Sequence, residues 1–283
     1  MGYGKVVELF LVNGTADSLV TAELSNWNGQ AIKIPRIEVQ TCTLPELTQA
    51  GVYFLFCKEE DDTESVYIGE SENVKERLLQ HMRDFQTDKE KFYWTTAVVF
   101  VGRDLNKALI RYLENRLVGI TLKCKRDKVL TKATYQNTVL KNSEKAVMEE
   151  FIDDIKIVIN ALGYKVLEPL VHHNATDEDL LSFEIGEAKA KGKVTTEGFV
   201  VLQGAKMNAV TNKSLAPALI SRREEHIADG KVKDFVTTED LLFSSSSAAA
   251  DFILGYSASG PQTWKDKNGR TLKELDEEKN KLG

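Results

Sequence analysis

The sequence predicts an α/β fold in which a small mixed sheet is flanked by helices, with a β-rich N-terminal extension and a C-terminal α+β domain. Two runs rich in β-branched and aromatic residues stand on either side of an acidic cluster, a pattern typical of a hairpin with a charged turn. Amphipathic helical patterns then alternate with a further β-rich run, which indicates helices packed on a sheet. After a polar boundary, strand and helix signals begin again, and they predict a second domain.

Breaks in these patterns divide the 283 residues into four predicted segments. They are a β-rich extension at 1–45, an α/β domain with its following helix at 46–165, a linker at 166–190 and an α+β domain at 191–283. In the extension, "KVVELFLVNG" and "QAIKIPRIEV" read as strands on either side of a polar stretch, and Pro45 marks the end. A composition of 42% hydrophobic and 28% charged residues is ordinary for a globular chain with two cores.

Six elements are predicted in the central segment, the last of them a long helix. "GVYFLFCK" and "ESVYIGE" are strands joined by the acidic turn "EEDDTE", and "WTTAVVFVG" is a third strand. Between the second and third strands, "SENVKERLLQHMRDF" predicts a helix capped by Ser71, with Val74, Leu78 and Met82 as its apolar stripe. "DLNKALIRYLENRLVGIT" predicts a second helix, capped by Asp104.

A longer helix, "SEKAVMEEFIDDIKIVINALGY", is predicted to end near Gly163 and to close the central segment. In the C-terminal domain, "TTEGFVVLQGAKM" reads as strand and turn, and "SLAPALISRREEHIADG" as a helix. "SSSSAAADFILGYSASG" reads as a serine-led loop that enters another helix.

Several functional classes are not supported by the composition. No run of about 18 apolar residues is present, and the N-terminus lacks the pattern of a signal peptide, so we expect a cytoplasmic protein with no membrane partner. The three cysteines are scattered, so they predict neither a disulfide framework nor a zinc site. His172 and His173 lie near Asp177 and Asp179 but without a metal-ligand spacing. The oligomeric state is not encoded in any of these patterns.

The distribution of charge matters more than the total. A formal net charge of −6 argues against a protein that coats nucleic acid. Between Arg103 and Lys145, however, eleven Lys and Arg residues stand against four Asp and Glu residues. This basic region is either a surface that faces phosphates or an ordinary solvated surface of helix and loop.

Five positions in a fixed order resemble the GIY-YIG nuclease family. "GVY" at 51–53 and "YIG" at 67–69 stand at hairpin spacing, and Arg77, His81 and Glu114 follow. The resemblance covers about residues 50–140, with Val52 in place of the usual isoleucine. The segments "GFVVLQGAK", "GYSASG" and "TWKDKNGRTLKEL" look like a small domain of unknown function that is often found behind this nuclease module.

The resemblance implies a metal-dependent endonuclease that hydrolyses phosphodiester bonds, with DNA as the expected partner. It implies that Tyr53 or Tyr67 deprotonates or orients the attacking water, and that Arg77 binds the scissile phosphate. It also implies that Glu114 holds a single Mg²⁺ (or Mn²⁺), a suitable role for a carboxylate. The nearest match to the asparagine that often follows this glutamate is Asn137 in "TYQNTVL".

His81 and Gly69 complete the predicted site. His81 follows Arg77 by one helical turn, so both side chains project from the same face, where the histidine relays a proton or hydrogen-bonds a tyrosine. Gly69 is expected to allow a tight backbone turn between strand and helix.

Two other classes of function stay open at this point. A nucleic-acid-binding or regulatory protein would keep the nuclease fold without useful turnover, and a structural protein would use its C-terminal domain to recruit another chain. In those cases the tyrosines are core aromatics, Arg77 and Glu114 are surface charges, and His81 is a packing residue. The sequence does not distinguish DNA from RNA, or paired from unpaired strands.

Overall fold

The computed structural model describes residues 3–58, 64–132, 134, 138–171 and 180–282. The chain divides into two compact units, Met1–Pro169 and Leu170–Gly283. Each unit has hydrophobic clusters built from its own residues. All candidate site residues that the structure describes belong to the first unit.

The strands of the first unit form one mixed sheet that is larger than the small sheet predicted. Its strands are β1 (Val7–Leu11), β2 (Val20–Leu24), β3 (Gly29–Pro35), β4 (Gly51–Lys58), β5 (Glu64–Ser71), β6 (Trp94–Gly102) and β7 (Lys128–Val129). Among the described residues the order is β1-β2-β3-β6-β4-β5-β7, and the neighbours are antiparallel apart from β5 and β7.

The N-terminal strands account for the larger sheet. β3 pairs with β6 along its whole length, from Gly29 opposite Gly102 to Pro35 opposite Thr96, so residues 1–45 extend the central sheet. β3 ends at Pro35, earlier than predicted, because proline has no backbone N–H to continue the ladder. β2 lies within the stretch that was read as polar, and its side chains alternate between buried and less buried positions.

β4 lies between β5 and β6 and is buried on both faces, which explains the unbroken apolar run "GVYFLFCK". Successive side chains of a strand point to opposite faces. Val52 and Phe54 therefore enter one core cluster, while Tyr53 and Leu55 enter the other. This alternation determines which face of the sheet receives Tyr53.

Three helices cover the sheet of the first unit within the described residues: α1 (Val74–Gln86), α2 (Lys107–Cys124) and α3 (Asn142–Ala161). α1 buries Val74 and Leu78 in the cluster that contains Tyr53. α2 and α3 bury their apolar residues in the cluster on the opposite face, which contains Val52 and Phe54. Tyr53, Tyr67, Arg77 and His81 thus lie on the α1 face of β4 and β5, whereas Glu114 belongs to α2, which packs on the opposite face.

Both predicted N-caps are displaced by two residues. The side chain of Asn73 accepts from the backbone N–H of Glu76, whereas Ser71 is the last residue of β5 and its hydroxyl accepts from Asn73 N. Asn106, not Asp104, caps α2. Asparagine is as good an N-cap residue as serine or aspartate. Residue type alone therefore could not show which of the two nearby positions caps each helix. α3 is followed, as expected, by Gly163 with φ +95°.

The second unit has the α+β character that was predicted. Its elements are β8 (Leu181–Ile185), β9 (Ala188–Thr195), β10 (Gly198–Val201), α4 (Pro217–Ala228), β11 (Val232–Lys233), β12 (Val236–Thr237), β13 (Leu241–Phe243), α5 (Ser246–Leu254), α6 (Gly260–Thr263) and α7 (Leu272–Leu282). Among the described residues, β13-β10-β9-β8 form an antiparallel sheet and β11-β12 a separate ribbon.

The predicted linker at 166–190 contains structured residues at both ends. Val166 and Leu167 are buried in the core of the first unit, and β8 with the start of β9 belongs to the second. The boundary between the units falls after Pro169. Within the described ranges, no helix combines the length and apolar character needed to cross a membrane.

Candidate active site

The two motif tyrosines and the helix histidine form an aromatic cluster. Antiparallel pairing sets Tyr53 of β4 opposite Gly69 and Leu55 opposite Tyr67, so both tyrosines point to the α1 face. The ring centroids of Tyr53 and Tyr67 are 6.3 Å apart, and His81 of α1 lies edge-on to each ring, at 5.6 and 5.1 Å. Residues far apart in the sequence therefore meet at one place.

Gly69 makes room for the hydroxyl of Tyr53. A Cβ at position 69 would lie 2.4 Å from Tyr53 Oη and 2.9 Å from a ring carbon of Tyr67. Gly69 is inside β5, not at a turn after it, which corrects the turn role expected from the sequence. The glycine of the second motif is required here by close contact between side chain and backbone.

His81 connects Tyr53 to a carboxyl group that lies outside the motifs. Its Nε2 is 2.9 Å from Tyr53 Oη, and its Nδ1 is 2.5 Å from Glu90 Oε1. Burial lowers the pKa of His81 to about 3, with a further contribution from the positive charge of Arg77, so the imidazole is neutral near pH 7. Burial also raises the pKa of Glu90 to about 7.

Arg77 lies one turn before His81 and interacts with both tyrosines. Its half-buried guanidinium lies close enough to the hydroxyls of Tyr53 and Tyr67 for its charge to act on both. Burial raises the pKa of each tyrosine, and the charge of Arg77 opposes that rise. The cluster therefore holds neutral hydroxyls beside a fixed positive charge.

Glu114 of α2 is buried beside a second carboxylate, that of Glu70. Burial is the main reason that the pKa of Glu114 rises to about 7, and repulsion from Glu70 adds to it, while Lys107, Arg111 and Arg77 act in the opposite direction. Glu70 itself accepts a 2.8 Å hydrogen bond from Lys107 Nζ and lies 3.7 Å from Arg111 Nε.

Glu114 has the properties of a cation ligand. Its side chain is 6% exposed, and its Oε2 atom is buried with no hydrogen-bond partner among the described residues. A buried carboxylate oxygen without a partner is costly, and a bound divalent cation would satisfy it. No group of three or more His, Cys, Asp or Glu residues that could hold a metal occurs within the described ranges. Mg²⁺ often binds through one carboxylate, with phosphate and water as its other ligands, so the donor set fits that ion.

A groove of about 1000 Å³ begins beside this cluster, and Tyr67 and Glu90 line it. Among the described residues, the other side chains that give the groove its character are lysines and aromatic rings: Lys58, Lys89, Lys91, Lys128, Lys132, Phe85, Phe92 and Tyr93. Positive charge interleaved with aromatic rings is typical of surfaces that bind nucleic acid strands.

The basic region at 103–145 contributes less to this groove than its charge suggested. Of its residues that the structure describes, Lys128 and Lys132 are the cations that line the groove. Others are engaged elsewhere: Arg116 pairs with Glu149, and Arg126 donates to the backbone carbonyl of Glu168. Much of the local excess is thus used in intramolecular contacts.

The comparisons with known proteins concern the second unit. A family model described as a domain of unknown function (DUF4357) matches residues 181–276. No curated protein and no solved structure was found to match the chain. The match confirms the resemblance of the C-terminal part to that domain, and it extends from β8 into α7. The candidate site lies outside the matched residues, so its interpretation depends on its own geometry.

Sequence reasoning found most of this cluster but missed two carboxylates. Tyr53, Tyr67, Arg77 and His81 come together, with Glu114 close enough to affect both tyrosines electrostatically. Asn137 lies outside the described residues, as do His172, His173, Asp177 and Asp179. Glu90 and Glu70 were not predicted. Glu70 directly follows "YIG", which is a usable signal, whereas nothing in the loop "DKEKF" distinguishes Glu90.

Proposed function

We propose that the first unit is a GIY-YIG-type endonuclease, active in the cytoplasm, that hydrolyses phosphodiester bonds of DNA with Mg²⁺ or Mn²⁺. The observation that carries the proposal is the convergence of Tyr53, Tyr67, Arg77 and His81 from three elements, with the buried Glu114 beside them. A packing role alone does not explain a guanidinium whose charge acts on two tyrosine hydroxyls, near a buried oxygen of Glu114 that has no hydrogen-bond partner among the described residues.

Exposure separates the roles of the two tyrosines. Tyr67 lines the groove, so its hydroxyl is the one that meets substrate and orients the attacking water. Tyr53 is 1% exposed and bonded to His81, so it positions Arg77. Arg77 neutralises charge that develops on the phosphoryl oxygens, the largest contribution that a fixed cation can make to such a step. Its charge also assists any loss of a proton from Tyr67.

Glu114 is the residue that would hold the metal, with Glu70 close enough to add negative charge. A bound Mg²⁺ supplies charge neutralisation at the phosphate and at the leaving oxygen. Above a pH of about 7, the Glu114 side chain is ionised and able to bind a cation. The lysines of the groove would neutralise the phosphates that flank the scissile bond.

A nucleic-acid-binding protein without turnover is the second candidate. The observation in its favour is the depth of the tyrosine–histidine pair, since Tyr53 and His81 have almost no exposed surface. The groove would then be the functional surface and the cluster its supporting core. The two candidates differ in whether bonds are broken, so one experiment separates them.

The experiment incubates the full chain with labelled duplex, single-stranded and branched DNA, and with RNA, in Mg²⁺, in Mn²⁺ and in chelator. We expect metal-dependent nicking that is lost in chelator, whereas binding persists. Metal-independent binding without product for any substrate would support the second candidate. The absence of both binding and cleavage would contradict both.

A further inference from the structure

Glu90, His81 and Tyr53 form a chain of hydrogen bonds. Glu90 Oε1 is 2.5 Å from His81 Nδ1, and His81 Nε2 is 2.9 Å from Tyr53 Oη. The positive charge of Arg77 acts on the Tyr53 end of this chain. The tyrosine and the histidine are 1% and 0% exposed, so water has no access to the middle of the chain.

The direction of each bond follows from the donors and acceptors available. Above a pH of about 7 Glu90 is ionised, and a carboxylate only accepts, so Nδ1 of His81 donates to Glu90 Oε1. A neutral imidazole that is protonated at Nδ1 has an unprotonated Nε2, so the hydroxyl proton of Tyr53 points to that nitrogen. The lone pairs of the tyrosine oxygen are then left to face the positive charge of Arg77.

We propose that Glu90 is a positioning residue that holds His81 in the Nδ1–H tautomer, so that Tyr53 presents an acceptor to Arg77 and keeps the guanidinium aimed at the substrate. The tautomer assignment is independent of any reaction, while the effect on cleavage rests on the proposed function. At metal sites, carboxylates that hydrogen-bond the far ring nitrogen of a histidine orient the ring in the same way, without touching the reacting atoms.

The backbone holds Glu90 in place for this role. Its N–H, like that of Lys89, donates to the carbonyl of Asp84 in the last turn of α1, so the loop is anchored to the helix that carries His81. Asp84 provides a matched comparison, since its charge also acts on His81. Its carboxylate, however, accepts from Gln80 and forms no hydrogen bond with the imidazole.

The first test is nuclear magnetic resonance of the full chain with ¹⁵N-labelled histidine at pH 8, where Glu90 is ionised. We expect the His81 ring to show a protonated Nδ1 and a bare Nε2 that accepts a hydrogen bond. A protonated Nε2 in the parent protein would overturn the proposal without any variant. This measurement needs no substrate, so it is unaffected by failure of the proposed function.

The second test compares Glu90→Gln with Asp84→Asn. The amide of glutamine presents either an oxygen or an NH₂ to Nδ1, so it no longer selects one tautomer, and we expect signal from protonated Nε2 to appear. If the parent cleaves nucleic acid, the single-turnover rate of Glu90→Gln should fall on the order of 10- to 100-fold with unchanged binding in chelator. Asp84→Asn should keep both the tautomer and the rate.

The outcomes distinguish the positioning role of Glu90 from the proposed endonuclease activity. A shifted tautomer in Glu90→Gln, with no cleavage by the parent on any substrate, would support the positioning of His81 and remove the endonuclease. An active parent whose Glu90→Gln variant keeps both the tautomer and the rate would remove Glu90 from the site and leave the endonuclease intact. If Glu90→Gln does not fold, the tautomer of the parent decides.

Discussion

Close contact between Gly69 and Tyr53 is the feature of the site that most restricts a single residue. The position opposite Tyr53 in the hairpin carries no side chain, and the tyrosine hydroxyl occupies that space. The hydroxyl can therefore reach His81 while its ring stays buried. A methyl group at position 69 would compete directly with the hydrogen-bonded oxygen.

The first prediction is that Gly69→Ala displaces the Tyr53 hydroxyl. Since the new Cβ would lie 2.4 Å from Tyr53 Oη, we expect a loss of stability of about 1–3 kcal/mol and a lower cleavage rate. Gly119→Ala is the control, because Gly119 is in α2 with open space around its Cβ. In a helix that change should stabilise by roughly 0.5–1 kcal/mol. Urea unfolding of both variants checks the difference, and equal effects would contradict it.

The second prediction concerns the cost of keeping Glu114 buried. Its pKa is raised from 4.5 to about 7 in the folded state, so the folded protein holds this proton more tightly than the unfolded chain does. The stability due to that proton is complete below pH 4.5 and is lost as the pH rises through 7. The change in unfolding free energy caused by Glu114→Gln should therefore be more favourable at pH 8 than at pH 4, by about 2 kcal/mol.

Urea unfolding in chelator at both pH values measures this gain, and cleavage by Glu114→Gln should be abolished. Glu149→Gln is the control with the opposite sign, because hydrogen bonds from Arg116 lower the pKa of Glu149, so that substitution should lose stability at pH 8. If Glu114→Gln changes the unfolding free energy equally at pH 4 and pH 8, burial does not raise the pKa of the Glu114 carboxyl.

The third prediction is that Tyr67→Phe and Arg77→Ala slow the chemical step by about two orders of magnitude or more, the effect of losing a positioned acid–base or electrostatic group. Tyr164→Phe and Arg83→Ala are matched controls. Tyr164 is a tyrosine that stacks on Phe56, away from the cluster, and Arg83 lies further along α1 and donates to Gln80. Single-turnover rates in Mg²⁺ measure the effect, and parental rates would reduce both residues to structural roles.

The site residues that could be predicted are those that match a known motif. Tyr53, Tyr67, Arg77, His81 and Glu114 were expected from the resemblance to the GIY-YIG nuclease family, and helical spacing added only that Arg77 and His81 share a face. Glu90 acts through a loop whose path depends on the end of α1, and no periodic pattern encodes that path. Tyr53 and Tyr67 differ in how deeply they are buried. Because both are tyrosines in neighbouring strands, the sequence alone does not show this difference.

At the scale of elements, long regular patterns were predicted well and pairings were not. The strands β4 and β6 and the helix α3 match their apolar runs closely. β2 is five residues long, and its alternation is too short to stand out from a polar stretch. The pairing of β3 with β6 joins residues about 65 positions apart, and only tertiary packing selects it.

The fourth prediction is that the groove, rather than the basic region as a whole, contacts the phosphates. Lys89→Ala and Lys132→Ala should each reduce the slope of log affinity against log salt concentration by about 0.9, the value for one phosphate contact. Lys145→Ala is the control, because Lys145 is exposed on α3 within the predicted basic region but does not line the groove. Binding is measured in chelator across a salt series, and equal slopes for all three variants would contradict the assignment.

At the scale of the whole molecule, each of the two units has its own buried core. The described site residues lie before residue 115, and the second unit has its own cluster of buried residues. Trp264, the tryptophan of "TWKDKNGRTLKEL", is fully buried between Phe183 and Phe199 and donates to Ser246 O, so it is not available to stack on a base. Any nucleic-acid contact from this unit therefore comes from other side chains.

β9 offers such side chains. The run "KAKGK" sets Lys189, Lys191 and Lys193 on one face of the strand, because alternate residues share a face. Lys191 is exposed, and Lys189 pairs with Glu184 of the neighbouring strand. This stripe fell partly within the predicted linker, so sequence reasoning missed it.

The fifth prediction is that residues 1–178 fold and retain metal-dependent cleavage, but bind nucleic acid more weakly and with a shallower salt slope than the full chain. The lost contacts are expected to be those of the β9 lysines. Folding is checked by circular dichroism before binding and single-turnover cleavage are measured. Lys191→Ala in the full chain should reproduce part of the change in slope. Binding and slope that match the full chain would show that the second unit has no part in holding the substrate.

The register of β4 and β5 also determines how relatives of this chain can be recognised. Tyr53 faces Gly69 because antiparallel partners keep a constant sum of positions, not a constant separation. Residues inserted between the two strands would lengthen the connection and leave each pair of partners intact, whereas one residue inserted within either strand would shift every later pair. A search that requires a fixed gap between the two tripeptides would miss homologues with longer connections, and one that scores the paired strands together would retain them.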